Sequence, residues 1–169
     1  MSAASPCWPS NTEIERIISE YGNTLLRLGF LYLGDAHLAQ DALQDTLLKT
    51  AVNLSKFKGN STEKTWITRI MINTCKNYRR TNWFKRVNPD ASLNAIPAEP
   101  ESKGDDSLIV AVMDLPPKYK EAILLFYYQQ LKISEIAKMI NKPESTVSVR
   151  LKRARELLKR HLKGEISVE

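Results

Sequence analysis

Between residues 14 and 32 the apolar side chains Ile14, Ile17, Ile18, Tyr21, Leu25, Leu28 and Tyr32 recur three and four positions apart. That spacing puts them on one face of an α-helix. Gly34 supplies a left-handed stop, and Asp35 supplies the acceptor that opens a second helix from Ala36 to about Leu54. Along it Ala39, Leu43, Leu47 and Thr50 make the expected buried stripe. His37, Gln40, Asp41, Gln44 and Asp45 fall on the polar side, with Leu48 on a flank. Residues 56–61 read as a loop, and Thr62 as the cap of a third helix running through Arg80. There Trp66, Ile70, Cys75 and Tyr78 are expected inward, alternating with Lys64, Arg69, Asn73, Lys76, Asn77, Arg79 and Arg80. Three amphipathic helices can close one small core.

The pattern resumes after Leu115-Pro116-Pro117. A helix from Lys118 to about Gln130 carries the apolar run Ala122-Ile123-Leu124-Leu125-Phe126, and a short helix follows over residues 133–140. Asn141 tolerates the left-handed turn that comes next. After Pro143, a long helix starting near Ser145 has the apolar stripe Val147, Leu151, Ala154, Leu158 and Leu162. Ala137, then Asn141 four residues on, then Val147 six beyond that, is a helix-turn-helix pattern: a small residue for close approach, a turn, and an aliphatic anchor. The fold class expected is all-α, two small helical domains joined by a flexible linker.

Charge supports that division. The 169 residues carry 25 Lys+Arg against 19 Asp+Glu, a net of +6. Residues 1–87 and 114–169 each hold 12 basic and 7 acidic side chains. Between them only Lys103 opposes Asp90, Glu99, Glu101, Asp105 and Asp106. With Pro89, Pro97, Pro100 and Gly104, that stretch has linker composition. The expected boundaries are 1–87, a linker over 88–107, and 108–169. About 20 linker residues span at most roughly 66 Å when extended.

Several function classes drop out. Cys7 and Cys75, with His37 and His161, offer no metal set or disulfide framework, so no metal is expected and a reducing cytoplasm is the expected compartment. A phosphate-cradling glycine loop and a nucleophile elbow are both missing, so no cofactor, small-molecule substrate or enzymatic activity is expected. No run of 18 apolar residues and no secretory leader is present.

What remains is nucleic-acid chemistry. On the third helix Arg69, Lys76, Arg79 and Arg80 surround Asn73 and Asn77, whose amides can pair with base edges. Phe57 and Trp66 could stack on unpaired bases, a combination better suited to single-stranded DNA than to a plain duplex. The last helix presents Ser145, Thr146, Ser148 and Arg150 at its N-terminal end, as a major-groove helix requires, and further cations beyond. Two other readings stand beside this one: an operator-binding regulator using only the helix-turn-helix, and a helical adaptor whose basic faces meet acidic proteins.

The chain as a whole resembles the extracytoplasmic-function (ECF) sigma factors of bacterial RNA polymerase. The likeness runs over about residues 13–162 and rests on ordered motifs. Gly34-Asp35 through Ala39-Gln40-Asp41-Ala42-Leu43-Gln44-Asp45-Thr46 is similar to the polymerase-binding helix. Phe57-Lys58-Gly59 with Thr65-Trp66-Ile67-Thr68-Arg69-Ile70 and Asn73 is similar to the promoter-melting segment. Leu115-Pro116, Glu135-Ile136-Ala137, Ser145-Thr146-Val147 and Arg150-Leu151-Lys152-Arg153-Ala154-Arg155 are similar to the −35-reading domain.

The resemblance implies that Leu43, Gln44, Asp45, Leu47 and Leu48 dock core RNA polymerase. It implies that Phe57, Lys58, Asn60, Ser61, Thr62, Trp66, Arg69, Asn73, Lys76, Asn77, Arg79 and Arg80 hold the melted −10 strand. The −35 duplex would fall to Ser145, Thr146, Ser148, Val149, Arg150, Lys152, Arg153 and Arg155. It further implies an anti-sigma factor, often membrane-bound, as a partner beside polymerase and promoter DNA. The chain departs from the family where Ser145 replaces the usual Gly, Val149 a polar or basic residue, and Lys132 the usual capping Ser.

Overall fold

The computed structural model describes residues 9–82 and 106–164. Seven α-helices and no strand occur among them. They fall into two compact units, α1–α3 and α4–α7. The tether expected over 88–107 lies outside the described residues except for Asp106 and Ser107, and so does Cys7.

In the first unit α1 (Asn11–Leu33) begins where the Ser10 hydroxyl accepts the Glu13 N–H at 3.3 Å, and ends at Gly34, whose φ is +71°. Asp35 then caps α2 (Ala36–Asn53) by accepting the Leu38 N–H at 2.9 Å. Each such cap contributes about 1 kcal/mol. A 3₁₀ turn over Leu54–Lys56 leads into the loop, where Gly59 sits at φ +70°. Thr62 accepts the Thr65 N–H at 3.1 Å and starts α3 (Glu63–Asn82).

The core of this unit corrects the expected stripes. On α2 the fully buried positions are Ala39, Ala42, Thr46 and Thr50, while Leu43 and Leu47 are only half-buried. On α3 the buried set is Thr65, Ile67, Thr68, Met71, Ile72, Thr74 and Cys75; Trp66, Ile70 and Tyr78 lie at its margins. On α1 Ile18 is exposed. On α2 the cause is close approach to α1. At buried Gly29 an added Cβ would overlap Met71 Cε and sit 3.5 Å from Ala39 Cβ. Helices packed this tightly accept Ala and Thr along the seam and displace the bulky side chains to its edges. The buried Thr46 hydroxyl stays satisfied by donating to the Ala42 carbonyl at 2.7 Å.

The second unit opens with α4 (Asp106–Met113), an element the periodicity did not reveal. The helix expected over 118–130 is α5 (Pro117–Ile123) followed by one π-helical turn, Leu124–Tyr128, in which Gln129 N–H donates to Leu124 O at 2.9 Å. Then α6 (Ile133–Ile140) ends at Asn141, φ +53°, as its residue type predicts. Lacking the usual serine, α6 uses the Glu135 carboxylate, which accepts the Lys132 N–H at 2.9 Å. After Pro143, α7 (Glu144–Leu162) begins one residue before the expected start. Ser145 therefore lies inside the first turn and does not cap it. Ile136, Ala137, Val147, Leu151 and Ala154 form the helix-turn-helix core with Ala122 and Leu125. Leu158 is half-buried and Leu162 exposed, so the apolar stripe thins toward the end of α7.

Candidate nucleic-acid interface

On the first unit, α3 turns Arg69, Asn73, Asn77 and Arg80 to solvent, with Lys76 half-exposed. Phe57 and Trp66 stack on each other, ring centroids 4.9 Å apart at 27°. In this state they cover one another and do not present two free faces. Beside them lies an open groove of about 380 Å³ lined by Lys49, Asn53, Lys56, Trp66, Ile70, Asn73 and Thr74. Lys58, Asn60, Ser61 and Thr62 sit on the exposed loop that leads back to α3. The groove thus brings together Trp66 and Asn73 from the expected strand-binding set. Arg79 is drawn elsewhere: its guanidinium lies 5.9 Å from the Tyr32 ring centroid, at the α1 side of the bundle.

Sequence reasoning missed Lys49, Asn53 and Lys56. Their spacing along α2 and the turn after it puts them on one side, but only the packing of α2 on α3 shows that this side faces Asn73. Lys49 is partly committed, since its ammonium donates to the Thr74 hydroxyl at 3.0 Å.

The back of the loop is clamped. Arg16 from α1 makes a two-pronged ion pair with Glu63, at 2.8 and 3.0 Å, and Tyr21 donates to the same carboxylate at 3.1 Å. The Arg16 hydrogen bonds hold the Glu63 carboxyl below its ordinary range. Burial, with help from Glu20 and Glu63, pushes the Tyr21 phenol up to about 12.

The surface of α2 is divided. Gln44 and Leu48 are exposed, Leu48 to 58%, and Val52, one turn further, to 48%. Asp45 is not the free acid expected there. It is half-buried and accepts the Tyr78 hydroxyl at 2.9 Å, which together with the larger effect of burial pushes Tyr78 up to about 12. Cys75 is wholly enclosed, and burial raises its thiol to about 12. A thiolate nucleophile is out of reach there.

On α7 the eight expected side chains separate by face. Ser145, Val149, Lys152 and Arg153 point to solvent along one stripe. Arg150 is turned toward Glu121 of α5, 3.9 Å away, with its side chain 19% exposed. Arg155 donates to the Tyr127 hydroxyl at 2.8 Å, and Ser148 returns its hydroxyl to the Glu144 carbonyl at 3.0 Å. Thr146 is half-buried. Lys118 and Tyr119 of α5, absent from the expected set, line a shallow groove with Ser145, Thr146, Val149 and Arg150. Among the described residues no cluster of His, Cys, Asp or Glu could hold a metal, and no helix is long and apolar enough to cross a membrane.

Comparison with known proteins follows the same division. Residues 17–85 match the family described as Sigma-70 region 2, and residues 105–158 the family described as Sigma-70, region 4. The ECF RNA polymerase sigma factor SigW of Bacillus subtilis is 29% identical over 168 residues, covering 87% of each chain. The RNA polymerase sigma-H factor of Pseudomonas aeruginosa is 30% identical over 165 residues, covering 86% of this chain and 84% of its own. The sigma factor RpoE of Bartonella quintana, solved with the anti-sigma factor NepR, shares the fold at a TM-score of 0.77 and 21% identity, over 92% of this chain and 99% of that one.

Proposed function

The chain belongs to the ECF sigma factors, which bind core RNA polymerase and direct it to promoters, and from that premise we propose how its two units divide the work. Residues 1–87 form the polymerase- and −10-binding domain, residues 108–169 the −35-binding domain, and residues 88–107 the tether between them. On α2 the exposed Gln44 and Leu48, flanked by half-buried Leu43 and Leu47, dock the core enzyme; Asp45 acts by fixing Tyr78. The loop 57–62 and the exposed side of α3 hold the melted strand, and α7 reads the −35 duplex. The chain works in the cytoplasm, and bond formation belongs to the polymerase.

The observation that carries this reading is the groove beside Asn73, walled by Trp66 and edged by Lys49 and Lys56. Asn73 can pair with a base edge, Trp66 can stack, and the lysines suit phosphate. An operator-binding protein that used only its helix-turn-helix would have no need of it.

Magnitudes explain why polymerase is required. Extruding a base costs a few kcal/mol. Stacking it on an aromatic ring returns about 1–3 kcal/mol. The balance is near zero or unfavourable, so the free factor does not melt DNA and the core enzyme's contacts tip the equilibrium.

We infer an anti-sigma partner as well, which covers the exposed Leu48 and Val52 on α2. Support comes from those two side chains and from structural relatives such as RpoE, solved with an anti-sigma factor.

Run-off transcription on fragmented host DNA, with sigma-free core polymerase and this protein added or omitted, tests the whole reading. New transcripts sharing −35 and −10 sequences are the expected result. Their absence with folded, inhibitor-free protein overturns it.

A further inference from the structure

We propose that Val149 reads the C5-methyl group of a thymine in the −35 element, an inference that rests on α7 being the duplex-reading helix. Ser145, Val149, Lys152 and Arg153 lie on one exposed face of that helix, at positions i, i+4, i+7 and i+8, with Glu156 at i+11 and 3.7 Å from Arg153. Three of the polar groups expected to specify sequence are already engaged within the protein. Arg150 faces Glu121, Arg155 is bonded to Tyr127, and the Ser148 proton goes to the Glu144 carbonyl. Val149 is left as a large apolar side chain, 59% exposed, in the middle of a polar and charged stripe.

Its position decides what it meets. Val149 is the sixth residue of α7, about 7–8 Å along the axis from Glu144. A helix of this kind puts its N-terminal residues against base edges. Lys152 and Arg153, further along, suit phosphates. Valine has no donor or acceptor, and in the major groove the one apolar group displayed by any base pair is the thymine methyl. A purine or cytosine edge pressed against Val149 would lose its water without gaining a partner. Discrimination therefore works in two directions: methyl burial favours thymine, and stranded polar atoms penalise the rest. The flanking Ser145, Lys152 and Arg153 also make this a poor apolar patch for a protein partner, since one valine beside Tyr119 among polar and charged groups is far below the area such patches reach.

The test uses holoenzyme reconstituted from core polymerase and the full chain, on a promoter whose −35 element has been defined by run-off. Holoenzyme affinity is measured on the native template, on one with a scrambled −35 element, and on templates with each −35 thymine replaced singly by deoxyuridine, which lacks only the methyl. The expected result is that scrambling abolishes specific binding. At one thymine, uracil should lower affinity about fourfold, the effect of one buried methyl. Val149→Ala, at an exposed position, should fold normally, bind core polymerase and lose that thymine–uracil difference. Affinity indifferent to scrambling would overturn the assignment of α7 itself. Sensitivity to scrambling with no uracil effect, with no thymine in the element, or with the same thymine–uracil ratio in Val149→Ala, would overturn the role of Val149 alone.

Discussion

The two candidate DNA faces are built on opposite plans. On α3 the chemistry is recessed: a groove, one aromatic wall, an amide at its edge and two lysines beside it. On α7 it is the exposed ridge of one helix, with a shallow groove along its α5 side, and its cations are partly held by neighbours, Arg150 by Glu121 and Arg155 by Tyr127. A recess suits a flexible strand whose bases can be turned into it, and a ridge suits a duplex whose own groove supplies the concavity. On the proposed reading, one chain meets two states of the same polymer with two shapes. The difference lies in how the neighbouring helices pack.

That contrast can be broken most severely from within. Ile67→Asp and Leu151→Asp each bury an unpaired carboxylate, at several kcal/mol. Ile67→Asp should abolish co-purification with core polymerase and all transcripts. Leu151→Asp should keep core binding and lose dependence on the −35 element. Circular dichroism on each full chain should show partial loss of helix, and loss of core binding from Leu151→Asp would contradict the division.

A milder break targets the recess. Trp66→Ala removes its wall, and open-complex formation, followed by permanganate reactivity of unpaired thymines, should fall about 5- to 100-fold. Sensitivity of binding to −35 sequence should be unchanged in the same variant. Equal losses at both elements would mean that the two faces are not independent.

Alkali should act on the first unit through Tyr21 and Tyr78, whose phenols are both raised from 10.0 to about 12. The folded state holds them protonated, so their contribution is complete below about pH 10 and is lost as pH rises toward 12. Denaturant midpoints of the α1–α3 transition, measured between pH 9 and 12, should decline over that window. Tyr78→Phe should flatten part of the decline.

The smallest effect is expected at the clasp. Glu63→Gln removes the partner of Arg16 at a solvent-screened surface, so the shift in midpoint should be small. Because Arg16 holds the Glu63 carboxyl below its ordinary range, the wild-type advantage exists above that range and disappears on acidification. A midpoint comparison at pH 7 and pH 3 checks this.

Much of the local structure was legible in the sequence because it is set by neighbours along the chain. Gly34, Asp35, Thr62 and Asn141 do what their chemistry dictates, and the Ala137–Asn141–Val147 spacing gives a packed helix-turn-helix core. The errors arose where distant segments meet. Counting leucines put Leu43 and Leu47 in the core of α2, because periodicity scores bulk and cannot see that Gly29 has brought the helices too close for it. The helix α4 is short and follows an acidic stretch, and the π turn in Leu124–Tyr128 has no compositional mark. Among the site residues, the identity of Trp66, Asn73 and Arg150 was plain. That Trp66 leans on Phe57 and Arg150 on Glu121 is a property of the fold.

The stacked pair has an optical consequence. An indole lying 4.9 Å from a phenyl ring in a half-buried setting emits differently from one sandwiched against a nucleobase, which quenches it. A strand that stacks on the groove side of Trp66 adds such a quencher to the pair. With Trp8 and Trp83 replaced by Phe, this chain's remaining indole emission would come from Trp66 alone. Stopped-flow fluorescence could then time the arrival of the strand without a dye on either the protein or the DNA.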